Sequence, residues 1–174
     1  PRTVTVKGYG SLTVNVDNLA NETKYDTWQL AGSEMVSVAS FKLKADNEDI
    51  KVTKVKVDTS ADVSQNISRI ALYNGGTLVA DTTNIGATQS TLEQDFTVAG
   101  TQTYTLKVTF QKIGKDQPGQ YNVQTTFKLS GIEAEGASSG ETLAAGDNDT
   151  TVEAGEIAYE DDWATGDYTN VSKT

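Results

Sequence analysis

The sequence predicts an all-β sandwich with an acidic C-terminal extension, and three observations predict it. Apolar residues recur with period two, and no amphipathic helical stretch of ten or more residues is present. Turn-forming residues punctuate the chain at short spacing. The net charge of −10 sits entirely in residues 133–174. Residues 1–132 hold 13 basic and 13 acidic side chains, whereas 133–174 hold 11 acidic groups against Lys173 alone. A charge change this abrupt marks a change of segment at about residue 132.

At the front, Thr3-Val4-Thr5-Val6-Lys7 and Ser11-Leu12-Thr13-Val14-Asn15-Val16 read as two short strands hinged at Gly8-Tyr9-Gly10. Val36 and Val38 then Phe41 and Leu43 form a strand whose apolar set changes phase midway, as do Ile50 and Val52 then Val55 and Val57. A bulge or a crossing between sheets shifts the phase in this way. Asn47-Glu48-Asp49 is the turn between the two. Leu72-Tyr73-Asn74-Gly75-Gly76-Thr77-Leu78-Val79 reads as a hairpin, since Asn-Gly accommodates the positive φ angles of a tight turn.

The cleanest alternation is Tyr104-Leu106-Val108-Phe110, then Tyr121-Val123-Thr125-Phe127-Leu129, with Thr, Lys, Asn and Gln between and turn residues over Gly114–Gly119. One face is apolar and the other wet, as a sandwich strand requires. About eight to ten such strands amount to an Ig-like sandwich. The organisation expected is an N-terminal strand over 1–10, a sandwich over 11–132 and a partly ordered extension over 133–174. In that extension Ile157, Tyr159, Trp163 and Tyr168 are available to dock on the sandwich.

Composition narrows function. The chain has no histidine and no cysteine. Ser-His-Asp triads, histidine-metal centres, thiol nucleophiles and disulfides are therefore all excluded. Nucleic acid is disfavoured, because it needs a basic face. No run approaches the roughly 18 apolar residues of a membrane span. A processed, secreted chain opens on a residue other than Met, as this one does at Pro1, and so does a trimmed piece of a longer protein.

Gly10–Val14, Leu30-Ala31-Gly32, Phe41–Ala45, Asn47–Val55 and Ile70–Gly76 together resemble Ig-like modules of large, secreted, surface-layer-type proteins of prokaryotes. The resemblance spans about residues 2–135 and implies an extracellular or cell-surface location and a structural, non-enzymatic role. It supplies no catalytic residue. More weakly, the chain resembles the β-sandwich subunits of prokaryotic extracellular filaments, in which the N-terminal strand of one subunit completes the sheet of the next. Val4 and Val6 have the residue type of such a donor strand. The partners implied are copies of the same chain, in a homopolymer. The same segment serves equally as the first strand of its own sandwich.

Other features admit a plain and a functional reading. Four Asn-X-Ser/Thr sequons occur, at Asn21, Asn66, Asn148 and Asn170, where chance predicts about two; they are candidate glycan acceptors or unmodified surface residues. Asp147, Asp149, Glu153, Glu156, Glu160, Asp161 and Asp162 offer the hard oxygens that Ca²⁺ takes, but without the glycine and terminal Glu of an EF-hand, and equally form a solvated acidic face. Tyr9, Tyr25, Trp28, Tyr73, Tyr104, Trp163 and Tyr168 are either packing residues or a sugar-stacking platform. Lys42, Lys44, Lys51, Lys54 and Lys56 either guard strand edges or meet the acidic segment of a neighbour. The function expected is a subunit of an extracellular filament or surface layer built by strand pairing. The alternative is an adhesin or carbohydrate-binding module of the same fold.

Overall fold

The structure, a computed structural model, describes residues 8–17, 27–121, 123–145, 156–160 and 168–171, with the backbone alone at 27–28, 145, 156–160 and 168–171. It is an all-β, Ig-like sandwich. The strands are β1 (Ser11–Val16), β2 (Thr27–Leu30), β3 (Val36–Asp46), β4 (Ile50–Thr59), β5 (Ile67–Asn74), β6 (Thr77–Thr82) and β7 (Gln89–Leu92). They continue with β8 (Phe96–Val98), β9 (Thr101–Phe110), β10 (Val123–Thr125), β11 (Phe127–Gly136), β12 (Thr142–Ala145), β13 (Glu156–Glu160) and β14 (Tyr168–Val171). The expected eight to ten strands become fourteen among the described residues, because β7 and β8 share one edge of β4 and because residues past 136 add β12, β13 and β14.

One layer runs β6-β5-β9-β3-β1 and the other β12-β11-β4, with β7 and β8 beyond β4; all these ladders are antiparallel. β13 lies between β1 and β12, parallel to both, and joins the layers along one side. A separate three-stranded ribbon has the order β10-β14-β2. Its two ladders are β10–β14, antiparallel, and β14–β2, parallel.

The core follows from the alternation. Leu12, Phe41, Leu43, Ile50, Val52, Val57, Leu72, Leu106, Val108, Phe127 and Leu129 are fully buried between the layers. Tyr104 is buried with them, its ring tilted against Phe96 at 5.3 Å. Its hydroxyl donates to Gln102 Oε1 at 2.8 Å, and burial pushes its pKa up to about 12. A buried tyrosine keeps its proton and needs such a partner.

Both predicted phase changes are bulges. In β3 the register with β9 skips Val38, which turns Val38, Ala39, Ser40 and Phe41 into a continuous buried run. In β4 the register with β11 skips Thr53, whose hydroxyl donates to the carbonyl of Glu133 at 3.2 Å. That is also where the outer partner of β4 switches from β8 to β7. The hairpin forms as β5–β6 around Gly75 and Gly76, with the positive φ at Gly75 (59°) rather than at Asn74.

Two details depart from expectation. Tyr121, on the apolar face of the predicted alternation, is 56% exposed, because the strand there begins only at Val123 and breaks before Phe127. The charge boundary near residue 132 is not an element boundary, since β11 runs through it to Gly136. Glu133 and Glu135 are thereby ladder residues, paired opposite Lys54 and Lys51.

Candidate functional site: the margin between the layers

β1 is the strand on which the layers meet the extension. One side of it pairs antiparallel with β3, from Ser11 opposite Asp46 to Val16 opposite Phe41. The other side pairs with β13, with Leu12 opposite Ile157, Thr13 opposite Ala158, Val14 opposite Tyr159 and Asn15 opposite Glu160. β12 reaches the same strand from the second layer, with Ala144 opposite Glu156 and Ala145 opposite Ile157. Leu12 and Val14 are buried, so β1 already packs one face into the core before β13 adds its ladder.

Neither β1 nor β12 is a free sheet edge, because β13 is paired with both. β1 and β12 contain no charged residue and no proline. Edge strands are ordinarily blunted by such residues or covered by another element, and here β13 covers both flanks.

A carboxylate pins one end of the margin. Glu48, in the turn between β3 and β4, accepts hydrogen bonds from the Ser139 hydroxyl at 2.6 Å and from the Ser138 and Ser139 amides at 2.8 and 2.9 Å. It also accepts from the Gly10 amide at 3.1 Å. The Ser139 hydroxyl first, then the Ser138 and Ser139 amides, with a smaller share from Gly10, hold its pKa down at about 2. Asn47, at φ 69°, adds a bond from its Nδ2 to the carbonyl of Tyr9 at 3.0 Å. The start of β1, the β3–β4 turn and the β11–β12 turn are thereby tied at one point. Two glycines make room for it. A Cβ on Gly10 would sit 2.6 Å from Ile50 Cδ1 and 2.8 Å from Glu48 Cγ, and one on Gly136 would collide with Glu48 Oε1 and Ser139 Oγ.

The lysines fall into two groups, because β3 and β4 lie in different layers. Lys42 pairs with Asp17 at 3.6 Å and Lys44 with Asp46 at 2.8 Å. Lys51 bridges Asp95 at 2.9 Å and Glu135 at 3.2 Å, and these two carboxylates raise its pKa. Lys54 meets Glu133 at 3.1 Å. The first acidic residues of the extension therefore meet the lysines of β4 within one chain.

The other sequence candidates separate cleanly. Val4, Val6, Asn21, Tyr25, Asn148, Trp163, Asp147, Asp149, Glu153, Asp161 and Asp162 lie outside the described residues. Glu156 and Glu160 bound β13, and Asn170 lies in β14 opposite Gln29. Asn66 is only 2% exposed, and its Nδ2 donates to the Gln120 carbonyl at 2.8 Å. That nitrogen is the atom a glycan would bond, so the folded chain does not offer Asn66 as an acceptor. Of the aromatics, Tyr104 is core, Tyr73 stacks under Lys107 Nζ at 4.6 Å and Tyr9 is exposed. Among the described residues no group of three or more acidic side chains gathers in a metal-binding arrangement, and no helix is long and apolar enough to cross a membrane.

One further surface feature is a polar depression of about 420 Å³ near β6 and β7, lined by Asp81, Asn84, Gln89, Ser90, Glu93 and Gln94 among others. Its lining comes from one stretch, residues 81–94, which runs from the end of β6 through β7 to the turn after it.

No family model and no curated protein matches the chain. Among solved structures, a cohesin–dockerin complex of Clostridium thermocellum is similar at a TM-score of 0.37 and 11% identity, over 99% of this chain and 100% of that one. CaCohA2 of Clostridium acetobutylicum is similar at 0.33 and 12% identity, over 95% and 92%. A ScaB cohesin of R. flavefaciens is similar at 0.26 and 9% identity, over 98% and 99%. Likenesses at these TM-scores carry no argument for this chain.

Proposed function

We propose that this chain is a non-enzymatic structural subunit of an extracellular filament or surface layer, and that copies assemble by pairing β-strands. The observation that carries this reading is the unblunted margin of β1 and β12, two uncharged edges bridged by one short parallel strand. Backbone donors and acceptors along such an edge are satisfied equally well by a strand of another copy. A strand given by each subunit to the next makes a head-to-tail contact, which propagates as an open filament where the rotation between copies does not close a ring.

The lack of histidine and cysteine agrees with a role that needs no nucleophile or base. The sequence resemblance to surface-layer-type modules supports the extracellular location. Val4 and Val6 remain donor candidates at the N-terminus. Asn21, Asn148 and Asn170 are the sequons left as glycan acceptors, and the acidic residues around Asp147 and Asp161 the candidates for calcium.

Negative-stain microscopy of the concentrated chain tests the proposal. Regular fibres or sheets are expected, and a chain that stays monomeric at every concentration refutes it. The polar depression beside β6 favours the second reading, a carbohydrate-binding module, because amides, hydroxyls and carboxylates are the groups that hydrogen-bond sugars. Retention of specific glycans on an array by a persistent monomer would establish that reading instead.

A further inference from the structure

We propose that Asn74, at the tip of the β5–β6 hairpin, is a site of spontaneous covalent modification. Its side-chain amide is lost through a ring closed with the Gly75 backbone nitrogen, and water opens that ring to aspartate and isoaspartate.

The chemistry has two requirements. The backbone nitrogen of the following residue must reach the asparagine Cγ, and that residue must not crowd the five-membered ring. Glycine alone has no Cβ to crowd it. The chain has ten asparagines, and Asn74 is the only one followed by glycine. Asn15, Asn66, Asn84, Asn122 and Asn170 each precede Val or Ile, whose branched Cβ obstructs the ring most.

The fold supplies access. Asn74 ends β5 and pairs with Thr77, so Gly75 and Gly76 are the two central residues of the turn. The Gly75 amide takes part in no backbone hydrogen bond among the described residues. A Cβ built on Gly75 would meet nothing within 4 Å, and Gly75, Gly76 and Thr77 are exposed, so water and hydroxide reach the tip. Other asparagines have their amides tied: Asn47 Nδ2 donates to the Tyr9 carbonyl at 3.0 Å, and Asn66 Nδ2 to the Gln120 carbonyl at 2.8 Å.

The ladder restrains the reaction. Asn74 stands opposite Thr77 on one side and Tyr104 on the other, which keeps its backbone extended. Ring closure requires the main chain to turn there, so the reactive form arises when the hairpin tip frays. Such openings cost least at strand ends.

The step needs no oxidant or reductant. Hydroxide takes the Gly75 amide proton, the nitrogen attacks Asn74 Cγ, the bond from Cγ to the side-chain nitrogen breaks, and ammonia leaves. Water then adds to either ring carbonyl. Cleavage at Cγ gives aspartate on an unchanged main chain. Cleavage at the main-chain carbonyl gives isoaspartate, with the chain running through Cβ and Cγ. Either product makes the net charge of −10 more negative. Isoaspartate also lengthens the main chain by one carbon, so residue 74 no longer fits both of its ladders.

Peptide mapping tests this. The full chain is incubated in water enriched in oxygen-18 at neutral and mildly alkaline pH, then digested. Its peptides are read by mass spectrometry with fragmentation that separates aspartate from isoaspartate. Asn74 should convert ahead of every other asparagine, give both products with the heavy oxygen incorporated, and convert faster at the higher pH. Asn74→Gln, whose side chain would need a six-membered ring, should lose this conversion and keep the circular dichroism of the parent. Conversion of another asparagine first, aspartate without isoaspartate, or a rate independent of pH overturns the proposal. So does an Asn74 that stays intact in the native chain while the urea-denatured chain converts, because the folded hairpin then shuts the site.

Discussion

The two long sides of the sandwich are closed by different means. On the side of β6 and β7, Gln94 Oε1 accepts from the Asp81 amide at 2.8 Å across the layers, while Arg69, on the neighbouring strand β5, clamps the Asp81 carboxylate at 2.7–2.8 Å. Ser90 Oγ accepts from the Gly86 amide at 3.2 Å, and β6 carries the charge of Asp81 along its edge. On the side of β1 and β12 no charged side chain lies along the edge, and a strand of backbone does the closing. The first side ends the sheet at β6 and β7, whereas on the second side the sheet continues from β1 through β13 to β12 within the chain.

The comparison breaks first if the body itself is not autonomous. Phe41 lies on β3 in the middle of the core and is fully buried. Phe41→Ala should cost about 3–5 kcal/mol. For a domain of this size that lowers Tm by on the order of 10 °C. Thermal melting by circular dichroism checks it, and a drop of only a degree or two would mean that Phe41 does not sit in a close-packed interior.

The second largest effect separates body from margin. A chain truncated after Ala145 lacks β13 and β14 but keeps every antiparallel ladder of both layers. It should melt in one cooperative transition, with a smaller loss of Tm than Phe41→Ala. Non-cooperative melting of the truncated chain would show that β13 is part of the core rather than an addition to its edge.

The body was legible in the sequence, and the margin was not. Alternation reports on residues that are in contact with the core, so Tyr104–Phe110 and Phe127–Leu129 could be placed on a buried face from spacing alone. The phase changes at Val38 and Thr53 were visible for the same reason, since one inserted residue inverts the pattern on either side. Pairing partners leave no comparable mark. Lys42 and Lys51 stand nine positions apart, yet they belong to different layers. Glu48 was readable only as a turn residue, because its partners Ser138 and Ser139 lie 90 and 91 positions away. Asn66 matched a sequon perfectly, and only its burial removes it. For the margin itself, the one signal present was an omission, the lack of charge along β1, which spacing rules do not score.

The third prediction concerns the Glu48 tie. Its folded pKa of about 2 lies below the ordinary 4.5, so between these values the unfolded chain binds the proton and the folded chain does not. Its contribution to stability is present above about pH 4.5 and fades as pH falls toward 2. Glu48→Gln should therefore lower Tm at neutral pH, and the gap to the parent chain should narrow as the pH falls through that window. Parallel Tm curves at all pH values would mean that the carboxylate is not the tie. Gly136→Ala, which sets a methyl against Glu48 Oε1, should reproduce the loss at neutral pH.

The smallest effect is expected on the side that ends the sheet. Arg69 and Asp81 make a two-point contact, but both side chains are about a third exposed. Partly solvated pairs are worth about 0.2–1 kcal/mol and are screened by salt. Arg69→Ala should therefore move Tm by about 1–4 °C in dilute buffer. The shift should shrink further at about 1 M salt, where the screening length is roughly 3 Å. Its more telling consequence is for association. Removing the clamp leaves Asp81 on the edge of β6, so that edge keeps a charge and should still refuse a strand. Fibre formation by Arg69→Ala should match that of the parent. If instead the variant forms laterally thickened or disordered aggregates, the guanidinium rather than the carboxylate is what keeps β6 closed, and the contrast between the two margins rests on Arg69.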